Sequence, residues 1–393
     1  MKILVNAVSC RVAGGLSVAR NFLRAYELGD FEHELVVYAP SGCGYEELSG
    51  RRVRVEIVPE WVNLGLLRSW VDNVWLRGVV AREAPDVLFA MGSIAYPSRV
   101  PQLVLYHWPY AIYPEREAWD HMGVRDRLIR RVRRRYFVGR MRFATALAAQ
   151  TETARGRLER HHGLRNVEVV PNAVSLPPAI SAGAIEERSA VLARVPEDRR
   201  VLLCLTRYYP HKNLEILPEV ARALRERGEN ATIAITVSKS EGPGAAALLR
   251  RIEREALGHY LVNLGTVPMD DVPALYRSSA ALLLPTLLES FSGVYVEAMH
   301  FGRPVFTSDR DFARDVCGDV AFFFDPHDPG EIARIVSEAL SDEKAVAAHV
   351  EAGRRRVASL PDWPEVAKRY VRLLEEVAGH GSAGASQGSS VSC

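Results

Sequence analysis

The sequence predicts two α/β domains in tandem, each built on a doubly wound parallel sheet. Short apolar, β-rich runs alternate with amphipathic helical patterns along most of the chain. Such alternation is typical of parallel strands that are joined by crossover helices. The alternation pauses at SLPPAISAGA and then resumes, and 393 residues are enough for two cores of ordinary size.

The first half of the chain supplies one sheet with its covering helices. Its predicted strands are KILVNAV, HELVVYAP, VRVEIVP, DVLFAMG, QLVLYHW and ALAAQT. Apolar residues recur at helical spacing in LSVARNFLRAYEL and in LRSWVDNVWLRGVVAREA, which predicts two of the intervening helices. We therefore assign residues 1–175 to a first domain and residues 176–186 to a linker.

The second half repeats the pattern. Its predicted strands are VLLCLTR, ATIAITV, LVNLGTV, AALLLPT, PVFTSD and VAFFFD, and its predicted helices are EILPEVARALRERG, GAAALLRRIEREAL, DVPALYRSS and GVYVEAMHF. These elements predict a second domain over residues 187–360. DWPEVAKRYVRLLEEV predicts a final amphipathic helix within residues 361–378, and the Gly/Ser-rich residues 379–393 predict a disordered tail.

Composition argues against several classes of protein. The formal net charge of +2 is nearly balanced and gives no sign of nucleic-acid binding. The 5 cysteines are scattered and form no CxxC pair, which argues against a disulfide framework or a zinc site. The apolar runs are too short for a signal peptide or a membrane span, so we expect a cytoplasmic protein.

Parallel sheets bind ligands beyond the carboxyl ends of their strands, so polar residues that follow strands are candidate site residues. In the first domain, Gly14 and Gly15 lie between a predicted strand and helix, where backbone N–H groups can approach an anion. His107 lies at the end of another strand. A bare turn for the glycines and a packed or surface role for His107 are the alternative interpretations.

The second domain has two cations after its first strand. Arg207 follows VLLCLT directly, and Lys212 comes five residues later, near the start of the next helix. Two cations beside a helix N-terminus favour a diphosphate ligand, because fixed charges and the helix dipole act together. A solvated basic turn is the alternative interpretation.

Two glutamates flank the start of a predicted helix in PTLLESFSGVYVEAMHFGRPVF. Glu289 lies in the loop, the helix starts near Ser292, and Glu297 follows about a turn and a half later. VYVEAM is mostly apolar, so an ionised Glu297 needs hydroxyl or cationic partners, and sugar hydroxyls would serve. In the alternative interpretation, Glu289 is a carboxylate favoured by the start of the helix, and Glu297 is a solvated helix residue.

Together these motifs resemble the retaining glycosyltransferases of family 4. Glu-x7-Glu in ESFSGVYVE is followed by AMHFGRPVFTSD, and the glycine pair, YHWP, VVPNAV and TRYYPHKN occur in the family's order over nearly the whole chain. The resemblance implies the GT-B fold, in which two Rossmann-like domains face a central cleft. It also implies that the first domain binds the acceptor, that the second binds a nucleotide-sugar donor, and that the last helix packs back on the first domain.

The resemblance implies a role for each candidate residue. Glu289 would contact hydroxyls of the donor sugar, and Glu297 would bind the ribose. Arg207 and Lys212 would neutralise the donor diphosphate, and His107 would contact the donor sugar near the reacting centre. The remaining donor-binding positions are Gly14, Gly15, Phe291, Ser292 and Gly293.

Three positions depart from the family pattern. The family commonly has Gly two positions after Ser290, whereas this chain has Ser292 and then Gly293. PNAVS replaces the usual Pro-Asn-Gly-Val-Asp, and Trp108 follows His107 where many relatives carry a small acidic residue. From the first departure we expect a shifted local backbone, and from the second no role for that loop beyond a hinge. From Trp108 we expect an unusual acceptor side.

The activity that the resemblance implies is transfer of a hexose, with retention, to a glycan or lipid-linked glycan. GDP-mannose, UDP-hexose and dTDP-rhamnose are all open as donors. No clustered carboxylates with metal-ligand spacing accompany the phosphate motif, so we expect no metal and no other cofactor. Two other classes stay open: a nucleotide-sugar epimerase or hydrolase on the same fold, and an inactive nucleotide-binding module.

A basic helical pattern covers residues 125–143, RDRLIRRVRRRYFVGRMRF. Leu128, Ile129, Val132 and Tyr136 form an apolar stripe among dense arginines. Such a helix suits peripheral contact with an anionic bilayer, which would lie at the inner face of the cell membrane. A stripe packed on the core with a solvated basic face is the more common arrangement.

Overall fold

The computed structural model describes residues 1–63, 67–114, 119, 122–175 and 189–386. The chain divides into two compact units. The first comprises residues 1–114, 128–175 and 361–393, and the second comprises residues 115–127 and 176–360. The predicted linker, residues 176–186, lies outside the described residues.

The first unit contains a sheet of 7 parallel strands in the order β3-β2-β1-β4-β5-β6-β7. The strands are β1 (Lys2–Asn6), β2 (Glu34–Pro40), β3 (Val53–Val58), β4 (Val87–Ala90), β5 (Gln102–Leu105), β6 (Ala146–Ala149) and β7 (Val167–Val169). All residues of β4 and β5 are buried. Central parallel strands are apolar throughout because helices cover both faces of the sheet.

The first unit's helices lie before, between and after these strands. They are α1 (Ala13–Leu28), α2 (Arg68–Trp70), α3 (Leu76–Glu83), α4 (Pro109–Ile112), α5 (Val124–Arg140, in this unit from Leu128 onward) and α6 (Glu152–His162). Along α1, Val18, Phe22 and Tyr26 are buried and face the core, which is the helical spacing that predicted the element.

The helix predicted over LRSWVDNVWLRGVVAREA is interrupted. Val71–Trp75 form a π-helical turn between α2 and α3. The consecutive residues Val71 and Asp72 are both buried, and Asp72 Oδ2 accepts a hydrogen bond from the Tyr136 hydroxyl at 2.8 Å. A π-helical turn lets two adjacent side chains face the core, which the regular α-helical spacing of 3.6 residues per turn does not allow. Here the contact between Asp72 and Tyr136 outweighs that regular spacing.

The second unit contains 6 parallel strands in the order β10-β9-β8-β11-β12-β13. They are β8 (Arg200–Cys204), β9 (Ala231–Ile235), β10 (Leu261–Asn263), β11 (Ala281–Leu284), β12 (Val305–Ser308) and β13 (Phe322–Phe324). The helices are α7 (Leu217–Glu226), α8 (Pro243–Arg254), α9 (Val272–Arg277), α10 (Gly293–His300), α11 (Asp311–Cys317), α12 (Pro329–Ser341) and α13 (Glu343–Ala358). Each predicted strand and helix of this half is present.

The last helix, α14 (Trp363–Ser386), belongs to the first unit. Tyr370 is buried in that unit's core, with ring centroids 5.7 Å from Phe22 and 5.1 Å from Phe89. The helix continues to Ser386, so the predicted tail was wrong for residues 379–386. Glycine and serine disfavour helix in isolation, but extending an existing helix costs less than starting one. Residues 387–393 lie outside the described residues.

The predicted fold class, two doubly wound α/β domains, is confirmed. Each sheet runs outward from a central strand, returns, and continues on the other side, so the strand order reverses once. The reversal lies between β1 and β4 in the first unit and between β8 and β11 in the second. Loops that follow the two strands at such a point diverge and leave a crevice for a ligand.

We expect Tyr370→Ala to lower the free energy of unfolding by about 3 kcal/mol, because a buried aromatic is replaced by a cavity. Lys368→Ala is the matched control, since Lys368 is exposed on the same helix. Urea denaturation followed by circular dichroism measures both. Equal, small losses for the two variants would contradict the assignment of α14 to the first unit's core.

Candidate functional site

The reversal point of the second unit carries three of the predicted site residues. Arg207 and Lys212 lie in the loop after β8, and Glu289 lies in the loop after β11. β8 and β11 are paired neighbours, with Ala281 beside Leu202. Strand order therefore brings together two loops that are far apart in the sequence.

Lys212 and Glu289 form an ion pair across these two loops. Lys212 Nζ donates to Glu289 Oε1, and the side chains are only 12% and 11% exposed. The Thr286 hydroxyl also lies 3.4 Å from the same carboxylate oxygen. Each charge thus has a partner in a place where an isolated charge would be costly.

Backbone contacts fix the loop that carries Lys212. The His211 carbonyl accepts from Leu287 N–H at 2.8 Å, which joins the two loops directly. The turn closes on Asn213, whose φ of 55° is left-handed and whose Nδ2 donates to the Pro326 carbonyl at 2.7 Å. Asparagine tolerates this conformation better than most residues. The position of Lys212 is therefore set by the fold.

Arg207 is held by a residue that was not among the predicted site residues. Its Nε donates to Glu241 Oε1 at 2.9 Å, and the Tyr208 N–H donates to Glu241 Oε2 at 2.8 Å. The Arg207 side chain is 49% exposed, whereas that of Glu241 is 8% exposed. Among the described residues, none accepts a hydrogen bond from Nη1 or Nη2 of Arg207.

The helix predicted near Ser292 begins there. Ser292 is the N-cap of α10, its side chain makes no capping hydrogen bond, and the first turn has no acidic residue. Phe291 and Gly293 flank it and are partly buried. First-turn N–H groups without a side-chain acceptor, together with the helix dipole, favour an anion at this position.

Glu297 lies one turn into α10 and is partly buried. Its Oε2 accepts a hydrogen bond from the Tyr276 hydroxyl of α9 at 2.8 Å. Loss of hydration raises the pKa of the Glu297 carboxyl, and the hydrogen bond from Tyr276 opposes that rise. No described cation pairs with this carboxylate, so hydroxyl groups are its available partners.

In the first unit, the glycine pair and His107 are brought together. Gly14 and Gly15 lie inside the first turn of α1, whereas the sequence predicted them in the turn before it. A Cβ on Gly15 would lie 3.4 Å from His107 Nε2, so a larger side chain would meet the ring. Among the described residues, none comes within 4 Å of a Cβ built on Gly14, so the Cα of Gly14 borders open space on that side.

His107 is neutral in this environment. Loss of hydration lowers its pKa to about 4, and its buried Nδ1 has no hydrogen-bond partner among the described residues. Its backbone N–H donates to the Ser93 hydroxyl at 3.0 Å, which fixes the end of the strand segment. A neutral imidazole can exchange hydrogen bonds with hydroxyl groups without bringing a second charge.

Sequence reasoning located the loops but missed the residues that support them. Glu241 and Tyr276 lie on elements that follow other strands, and neither is near its partner in the sequence. One local signal existed for Glu241: the segment Ser238–Glu241 matches the capping-box pattern, and the structure contains that box. Nothing local indicated Tyr276.

Solved structures with the same fold are known. The chain superposes on sucrose-phosphate synthase from Thermosynechococcus elongatus with a TM-score of 0.74 and 14% identity, covering 97% of this chain and 100% of that one. Anabaena HepE in complex with UDP and glucose gives a TM-score of 0.71 and 18% identity, covering 96% and 100%. This likeness shows the GT-B fold.

Family models then identify the chain. Residues 17–176 match Glycosyltransferase Family 4, and residues 187–356 match Glycosyl transferases group 1. The chain belongs to the GT-B glycosyltransferases that combine these two domains.

Curated relatives point the same way. A D-inositol 3-phosphate glycosyltransferase of Salinispora arenicola is 30% identical over 61% of this chain and 56% of its own length. A GDP-mannose-dependent alpha-(1-6)-phosphatidylinositol monomannoside mannosyltransferase of Mycolicibacterium smegmatis is 24% identical over 87% of this chain and 90% of its own length. The chain spans little more than half the length of the first of these relatives.

We expect Glu297→Gln to raise the thermal midpoint of the ligand-free protein at neutral pH. A carboxyl whose folded pKa is raised keeps its proton in the folded state after the unfolded chain has lost it, so stability falls as pH rises above the ordinary value of 4.5. Glutamine removes that loss, so the gain should disappear below pH 4.5. The control is Glu226→Gln, on an exposed carboxylate of the same unit. A gain that does not depend on pH would rule out the raised pKa as its cause.

We expect Glu241→Ala to weaken the binding of inorganic pyrophosphate by roughly tenfold, because Arg207 loses the group that orients it. Glu241→Gln retains an acceptor for Nε and removes a negative charge, so its affinity should equal or exceed that of the wild type. Isothermal titration calorimetry compares the three proteins. Equal affinities for the Ala and Gln variants would show that Glu241 does not position Arg207.

Proposed function

We propose that this protein transfers a hexose from a nucleoside-diphosphate sugar to a saccharide or lipid-linked saccharide acceptor. The observation that carries the proposal is the Lys212–Glu289 pair at the reversal point of the second unit, within the residues that match the group 1 model. A cation and a carboxylate side by side suit a ligand that has a diphosphate next to a sugar.

The second unit would bind the donor. The diphosphate would bind to Lys212, the two Nη groups of Arg207 and the first-turn N–H groups of α10. These groups would stabilise the negative charge that grows on the diphosphate as the sugar leaves. Glu289 would accept hydrogen bonds from the sugar hydroxyls. Glu297, which already accepts from a hydroxyl, would accept from the ribose.

We infer that transfer retains the anomeric configuration and needs no metal. The bond between the anomeric carbon and the diphosphate oxygen breaks, and the acceptor oxygen bonds to the same face. The acceptor's proton passes to the departing diphosphate. In support, fixed cations and N–H groups supply the charge compensation that a divalent ion would otherwise provide. Within the described residues, no group of three or more His, Cys, Asp and Glu side chains has the arrangement of a metal site.

The first unit would bind the acceptor. His107 would contact the donor sugar near the reacting carbon, and its neutral ring suits hydroxyl partners. The open space at Gly14, beside first-turn N–H groups of α1, would admit a phosphate or an acceptor group. Gly15 leaves room for the His107 ring.

Lipid-linked saccharides are the acceptors that the surface of the first unit favours. Leu128, Ile129 and Val132 of α5 are 62%, 53% and 62% exposed, so the stripe does not pack on the core. None of the described helices is long and apolar enough to cross a bilayer. We therefore propose peripheral contact through α5 with the cytoplasmic face of a membrane.

A thermal-shift panel with GDP, UDP, dTDP and NAD, each with and without EDTA, tests the donor assignment. One nucleoside diphosphate should stabilise the protein by about 2.7 kcal/mol at a hundredfold excess over its dissociation constant, with or without EDTA. Lys212→Ala should abolish the shift, while Lys344→Ala, an exposed lysine of the same unit, should not. A shift that EDTA removes would contradict metal independence.

The reaction is tested with the matching nucleotide sugar. His107→Ala should keep the nucleotide-induced shift and lose sugar transfer, because it lies outside the unit that binds the nucleotide. Conversion of the nucleotide sugar to an epimer, or to free sugar at full rate, would favour an epimerase or hydrolase. Absence of any shift would favour an inactive module.

A further inference from the structure

Exposed apolar side chains are concentrated on two segments of the chain. Among the described residues, 12 large hydrophobic side chains are exposed, and nine of them lie between residues 57 and 74 or between residues 124 and 132. They are Ile57, Trp61, Leu67, Trp70, Val74, Val124, Leu128, Ile129 and Val132. Single exposed hydrophobics need no explanation, but a concentration of this kind marks an interaction surface.

The first segment carries a tryptophan cluster, formed by Trp61, Trp70 and Trp75. Ring centroids of Trp61 and Trp70 are 5.6 Å apart, and those of Trp61 and Trp75 are 6.4 Å apart. Trp75 also contacts Tyr38 edge-on at 5.9 Å, which anchors the cluster to β2. Trp61 and Trp70 remain 37% and 45% exposed. Indole rings of this kind, apolar with one polar N–H, are enriched where water meets lipid.

The second segment is the basic helix α5. Residues 124–140 contain eight arginines and one aspartate, so the helix carries a formal charge of +7. Within the described part of the chain, no carboxylate pairs with the exposed residues Arg125, Arg131 and Arg135. Long arginine side chains can keep an apolar stem beside Leu128 and Val132 while the charged group reaches outward.

The part of α5 that lies in the first unit, from Leu128 onward, contacts the first segment. Tyr136 donates to Asp72 at 2.8 Å, and Arg140 Nη2 donates to Asn73 Oδ1 at 2.8 Å. Tyr136 lies one turn after Val132, on the same row of α5. Trp70 and Val74 lie within two residues of Asp72 in the adjoining helical turn. The row of α5 that carries Val132 therefore meets, at Tyr136, the helical turn that carries Trp70.

We propose that the tryptophan cluster and the α5 stripe together form a single face that lies on an anionic lipid bilayer, with Trp61 and Trp70 at the level of the lipid headgroups. The inference rests on the proposed membrane contact of α5 and adds the tryptophans as its second anchor. Charge selects the occupant. Arg131 and Arg135, with which no described carboxylate pairs, attract anionic headgroups, whereas a second copy would bring the same positive charges together.

Part of this face lies at the same edge of the sheet as the first unit's candidate site. Trp61 follows β3 by three residues, so it is at the carboxyl edge of the sheet. Gly14, Gly15 and His107 follow β1 and β5 at the same edge. A bilayer at this face would hold a lipid-linked acceptor at the edge of the sheet that carries the loops proposed to receive it.

Flotation with phosphatidylcholine vesicles, with and without phosphatidylglycerol, tests the inference, and brominated phosphatidylcholine serves as a fluorescence quencher. We expect binding only with phosphatidylglycerol, loss of binding at high salt, and quenching of tryptophan emission. Trp61→Phe with Trp70→Phe should remove most of the quenching. Trp61→Ala with Trp70→Ala should weaken partitioning at least fivefold, while Leu28→Ala, on an exposed residue outside the face, should not.

The possible failures are distinguishable. If the protein binds but its tryptophans are not quenched and the double Ala variant binds normally, the tryptophan inference is wrong and contact through α5 stands. If the protein does not bind at low salt, both membrane statements are wrong, and the nucleotide panel still tests sugar transfer. If the protein forms a dimer that the double Ala variant abolishes, the face is a protein interface. Circular dichroism checks that each variant is folded.

Discussion

The order of the parallel strands is the constraint on which the rest of this molecule depends. A parallel sheet aligns all of its carboxyl ends at one edge, and a doubly wound sheet reverses once, so two loops diverge at the reversal. In the second unit these are the loops after β8 and β11. Lys212 and Glu289 are 77 residues apart and meet only because those two strands are neighbours.

In the second unit, paired charges stabilise the candidate site residues when no ligand is bound. Lys212 and Glu289 are both nearly buried, and each compensates the other at a position where either one alone would be unfavourable. Arg207 is more exposed and is held through one nitrogen only, so its other donors are already oriented. Preorganised charges need little rearrangement when charge develops on a ligand, which is the property that group transfer requires.

Two features of this protein are energetically unfavourable when no ligand or partner is bound. They are the buried carboxyl of Glu297 and the exposed hydrophobic face of the first unit. A carboxyl whose pKa is raised by burial has lost hydration that one tyrosine hydroxyl does not replace. Exposed tryptophan and leucine side chains likewise retain apolar surface in water. Features of this kind are informative because packing alone does not account for them, and a ligand or a bilayer would relieve the cost.

The sequence by itself determined the alternation of strands and helices, the fold class, and the loops that carry Arg207, Lys212, Glu289 and His107. These are local properties, since periodicity, glycine and proline positions, and the family motifs can all be read within a few residues. It did not reveal the π turn at Val71–Trp75 or the full length of α14, because tertiary contacts and helix propagation override local preference there.

Only the tertiary structure decided which residues meet. Glu241 accepts a hydrogen bond from Arg207 across two loops, Tyr276 donates to Glu297 from another helix, and Gly15 of α1 lies against His107. The apolar stripe of α5 has the same helical spacing whether it faces a core or a solvent-exposed surface, so its pattern could not say which. Contacts between residues distant in sequence depend on how whole helices and strands pack together, and the local sequence does not determine that packing.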